Sequence, residues 1–67
     1  MDSKKNHFNT IINLLKETEQ SFFIKKAPNG SFVIIIGDKY DEKILPAIFF
    51  NSQKEIVKFK TWNNKKG

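Results

Sequence analysis

The pattern of apolar residues predicts an α+β fold: one N-terminal amphipathic helix packed on a four-stranded antiparallel meander sheet, in the order α-β-β-β-β. Three observations carry that prediction. Phe8, Ile11, Ile12 and Leu15 recur at the spacing of one helix face, and Leu14 widens the stripe. Four short apolar runs follow, Phe22–Ile24, Phe32–Ile36, Ile44–Phe50 and Ile56–Trp62, each of strand length and separated by polar or turn-forming residues. Between the first two runs stands Ala27-Pro28-Asn29-Gly30. Proline presets φ at the second position of a type I turn, and glycine accepts the left-handed conformation of the bulge that follows, so these runs form a hairpin.

Taken in order, the helix spans about residues 4 to 19. Asp2, Ser3 or Asn6 is placed to cap its start. Lys4 and Lys5 oppose the helix dipole at one end, and Glu17 and Glu19 oppose it at the other, so both ends are expected to fray. The strands are expected at about 21–26, 31–36, 43–50 and 54–62. The polar segment 37–42 reads as a loop, and Asn51-Ser52-Gln53 as the last turn. Pro46 has no N–H for a ladder, which predicts a bulge or an edge position there. Residues 63–67 read as a solvated tail.

A chain of 67 residues forms one domain, 1–67, and buries only about 60% of the surface its unfolded form exposes. With no cysteine, neither disulfides nor thiolate zinc sites reinforce it, so association with a partner or a second copy is the expected stabiliser. No apolar stretch is long enough to span a bilayer, and the first residues do not read as a signal peptide. A soluble, cytoplasmic protein without membrane contact is expected.

The net charge of +5 comes from lysine alone, since arginine is absent. A basic balance favours single-stranded nucleic acid or an acidic protein surface as partner. Without arginine, bidentate reading of guanine edges is lost, so nucleic-acid binding would be weakly sequence-specific. The plainer reading of the same lysines is that they keep a small protein in solution.

Strict alternation along the last strand places Glu55, Val57, Phe59 and Thr61 on one side and Lys54, Ile56, Lys58, Lys60 and Trp62 on the other. Lysines beside a flat indole are a means of holding phosphates while stacking an unpaired base. Lys54, Lys58, Lys60 and Trp62 are therefore the candidate nucleic-acid-binding set, with Lys25 and Lys26 extending it. The competing reading has Trp62 folded over the end of the core and the lysines on a solvated face.

The second strand, Phe32-Val33-Ile34-Ile35-Ile36, has no polar side chain on either face. One helix covers one face, so the other needs a cover, unless sheet curl and the 37–43 loop close it. Phe32, Ile34, Ile36 and Ile56 are the candidate partner or dimer surface, and a homodimer is expected.

Catalytic and metal chemistry find little support. His7 is the only histidine; Asp38, Asp41 and Glu42 lack the spacing of a calcium loop, and Asn29-Gly30-Ser31 is explained by its turn. No enzyme and no cofactor is expected. The leading expectation is a non-catalytic single-stranded nucleic-acid-binding or DNA/RNA-associated accessory protein. The alternative is a small protein-binding regulator or inhibitor, of the kind phages and mobile elements direct at host enzymes, docking through an apolar face or free strand edge.

Overall fold

The computed structural model describes residues 7–65. Helix α1 (His7–Glu17) is followed by β1 (Phe22–Lys26), β2 (Phe32–Ile36), β3 (Ile44–Phe50) and β4 (Ile56–Asn63). The strands form one antiparallel sheet in the order β1-β2-β3-β4. The α-β-β-β-β arrangement read from the sequence is the observed one. The expected start of the helix and its caps, Asp2, Ser3 and Asn6, lie outside the described residues.

The C-terminal end of α1 is closed by backbone hydrogen bonds despite its unfavourable charges. Gln20 N donates to Leu15 O at 2.9 Å and Glu19 N to Lys16 O at 3.1 Å, while Glu19 sits at φ 58°. This is a Schellman closure, which satisfies two carbonyls the helix would otherwise leave open. Glycine is the usual occupant of that left-handed position, and glutamate there carries both a Cβ penalty and the wrong charge for the dipole. Glu19→Gly is therefore expected to gain about 1 kcal/mol, after allowing for the greater unfolded entropy of glycine. Thermal unfolding should show it as a rise of roughly 5 °C; an unchanged or lower midpoint would mean that the penalty of the left-handed turn does not exceed the entropic cost of glycine.

The first hairpin follows its sequence signal. Gly30 N donates to Ala27 O and Ala27 N to Ser31 O, with Gly30 at φ 92°. The β3–β4 turn repeats this pattern through Lys54 N to Asn51 O and Asn51 N to Glu55 O. Here the left-handed position falls to Lys54, at φ 67°. The Asn51 side chain holds this turn by accepting from Gln53 N and Glu55 N.

The bulge expected at Pro46 lies elsewhere. Phe49 pairs with Lys58 but Phe50 with Ile56, which leaves Val57 as the extra residue on β4. Lys43 O accepts from Asn64 N, so the odd-numbered residues of β3 address β4 and Pro46 addresses the β2 side. That ladder has already ended at Ala47, so the missing N–H breaks no rung.

The bulge also revises the alternation of β4. Ile56 faces the helix, as does Phe59, the ladder partner of Ile48, whereas Lys58, Lys60 and Trp62 face the other way. Phe8 and Leu15 of α1 pack with Ile34, Ile48 and Phe50, flanked by Phe22, Phe32, Ile36 and Ile56. The Phe8 ring stands edge-on to Phe50 at 5.0 Å between centroids. Phe32, Ile34, Ile36 and Ile56, expected at a partner surface, are thus covered by the chain's own helix. The amphipathic stripe must lie on one of two nearly equally apolar faces, and alternation alone does not say which.

On the opposite face Val33, Ile35, Leu45 and Ala47 form a second buried cluster, with Phe23, Phe49 and Trp62 packed against it. The 37–43 loop is drawn toward this end of the sheet by Asn64, whose Nδ2 donates to Lys39 O at 2.9 Å and Asp41 O at 2.6 Å. A second core therefore exists without a second layer of secondary structure.

Candidate functional site

Ladder register assembles the face that α1 leaves open. One cross-strand row runs Lys25–Val33–Phe49–Lys58, and the next runs Phe23–Ile35–Ala47–Lys60. Trp62 then stands opposite Leu45. None of these strand residues is acidic, so the row ends carry only positive charge.

Trp62 packs against the second cluster and also lines an apolar groove of about 350 Å³ together with Pro28, Val33 and Phe49, with Lys25 and Ser31 contributing to its lining. The ammonium of Lys58 lies 5.2 Å from the centroid of the Phe49 ring, a cation–π interaction that holds the charge beside the groove. On the other side of Lys25 and Trp62 is a second cleft, of about 460 Å³, to which Lys39, Tyr40, Glu42 and Lys65 contribute. Tyr40 is 78% exposed there.

Four of the six expected nucleic-acid-binding residues, Lys25, Lys58, Lys60 and Trp62, thus share one face. Lys54 does not, and Lys26 belongs to the helix side by register while still lining the edge of the groove. The Lys26 ammonium lies over Phe32, and that of Lys54 lies 5.3 Å from the Phe8 centroid and 5.6 Å from that of Phe32, on the helix side. Lys54 occupies its unfavourable left-handed position while capping these two rings. Both readings of Trp62 describe part of its environment, since the half-buried indole covers a core and still borders open space.

No family model, curated protein or solved structure matches the chain. The site therefore stands on its geometry alone. Phe49, Lys39 and Tyr40 belong to it although the sequence did not single them out. For Phe49, alternation with the buried Phe50 was an available signal. For the loop residues there was none, because the Asn64 hydrogen bonds that place them span more than twenty positions.

Among the described residues no three His, Asp or Glu side chains are grouped so that they could hold a metal ion. Asp38 is used within its own loop, accepting from Tyr40 N at 2.9 Å. Among the described residues no helix is long and apolar enough to cross a membrane. A separate feature lies on the helix side, beyond the cover of α1: Ile44 and Phe59 are 54% and 69% exposed, and Val57 in the bulge 58%.

Proposed function

We propose that the chain is a small non-catalytic module that binds single-stranded nucleic acid with low sequence specificity through the open face of its sheet. The observation that carries this reading is the gathering of Lys25, Lys58 and Lys60 with Trp62 on one face whose strand residues include no carboxylate. Lysine ammoniums hold phosphates as point charges, and the aromatic rings between them offer stacking surface that any base can use. The absence of arginine fits binding that follows the backbone rather than base edges.

Replacing Lys25, Lys58 and Lys60 together by glutamine is the direct test, since all three are exposed and the fold should survive. Affinity for a labelled single strand at low salt should fall at least tenfold. The slope of log K against log salt should flatten by about 2, from roughly 0.7 for each phosphate that is no longer neutralised. A control that removes the same charge elsewhere, Lys16, Lys43 and Lys54 to glutamine, should leave the slope nearly unchanged, since none of the three lines the groove or the cleft. Equal losses in the two variants would reduce the effect to net charge and leave the face no special part in binding.

The exposed strip of Ile44, Val57 and Phe59 favours a second reading, in which the chain docks a protein partner or a second copy of itself. Light scattering in the same experiment separates the two. A dimer that ignores the oligonucleotide even at low salt would favour the strip over the lysine face.

A further inference from the structure

We infer that the groove between Trp62 and the β1–β2 turn is the seat of a single unpaired nucleobase, with the adjoining backbone phosphate held in the neighbouring cleft. This inference rests on the reading of the open face as a nucleic-acid surface and names the part of the ligand that each compartment takes.

The two compartments differ in chemistry and share a wall. The groove is bounded by flat or rigid apolar groups: the Trp62 indole, the Phe49 ring, the Pro28 ring and Val33. Across Lys25 and Trp62 the second cleft is more polar than the groove and is lined by Lys39 and Lys65 as well as Lys25, three lysines against the single carboxylate of Glu42. A nucleotide has the same division, with an apolar flat base joined to an anionic backbone.

Trp62 is fixed before any ligand arrives, because its packing on Val33, Ile35, Leu45 and Ala47 already orders the indole. Little side-chain entropy remains to be lost on stacking. The groove offers few groups for reading a base edge, and the Ser31 hydroxyl there already donates to Asn29 Oδ1 at 2.6 Å. It should therefore take any base, provided both faces of that base are free. A base within a duplex is stacked on both sides and does not enter. Lys25 and Lys58 stand at the two ends of one row, three inter-strand spacings or about 14 Å apart, so a strand crossing the sheet meets a cation on each side of the groove.

The single tryptophan makes the test spectroscopic. The wild-type chain is titrated at low salt with three probes of equal length, about ten nucleotides each. They are an oligothymidylate, the same backbone with every base replaced by an abasic site, and a duplex. Binding is read by anisotropy of a label on the probe and seating by Trp62 fluorescence. The oligothymidylate should bind and quench Trp62. The abasic backbone should bind about 5- to 150-fold more weakly, the range that stacking one base supplies, and should leave the fluorescence unchanged. The duplex should leave it unchanged as well.

Equal affinity for the first two probes with no quenching would overturn the base seat while leaving a face that binds polyanions. Quenching by the duplex equal to that by the single strand would also overturn it. If no probe binds even at low salt, the nucleic-acid reading of the face fails together with the inference.

Discussion

Truncating Ile35 to alanine should destabilise the chain about as much as truncating Ile34, by roughly 2–5 kcal/mol each. Both side chains are 0% exposed, yet only Ile34 lies in the cluster that includes helix residues. Ile35 belongs to the cluster on the open face, where Leu45, Ala47, Phe23 and Trp62 close around it. The removal of three carbons leaves a cavity whose cost depends on how far the surroundings collapse. β2 lies between two other strands and has little freedom to do so. A domain of this length is stable by roughly 3–10 kcal/mol in total, so either variant should lose much of its folded population at moderate urea. Urea unfolding of the two variants side by side is the check. An Ile35→Ala variant that unfolds like the parent would mean that the second cluster contributes no stability and that its burial is incidental.

Gly37→Ala should cost about 2–4 kcal/mol, well above Gly30→Ala, although both glycines have positive φ. At Gly30 an added Cβ would lie 3.4 Å from Ser52 Cβ, close to ordinary van der Waals distance, so only the backbone penalty remains. At Gly37, φ is 143° and the added carbon would lie 2.8 Å from Leu45 Cδ2 and 3.1 Å from Cδ1. Leu45 is 3% exposed and part of the second core, so it has little room to withdraw. Gly37 N also donates to Ser21 O at 2.8 Å, which resists relaxation of the backbone. Adding Leu45→Val to Gly37→Ala should relieve the overlap but not the strained φ. The double variant should therefore lose less than the sum of the single losses, with a coupling of about 1 kcal/mol. Additive losses in a double-mutant cycle would show that the two residues do not meet.

These two variants probe the side of the sheet that the sequence left least resolved. The helix stripe, the Ala27–Gly30 turn and the spacing of the apolar runs were legible because each is a local pattern with one structural solution. The shared face of Lys58, Lys60 and Trp62 was legible for the same reason. Strict alternation misplaces Ile56 on that face because a bulge at Val57 changes the parity of β4, and no residue there announces it. Alternation also counts Lys54 as a strand residue, although it occupies the left-handed turn position where the first hairpin has Gly30. Lys39 and Tyr40 were out of reach, since their position depends on two hydrogen bonds from Asn64.

The sequence determined the elements, their order and the lysine and tryptophan alternation near the C-terminus, because periodicity and turn chemistry act over a few residues. Tertiary structure decided which of two similarly apolar faces receives the helix, and with it that Phe32, Ile34, Ile36 and Ile56 are covered while Val33 and Ile35 lie beneath a half-buried tryptophan. That choice depends on the fit of Phe8 and Leu15 against residues up to about fifty positions away, a matter of shape and volume that alternation along a strand does not encode.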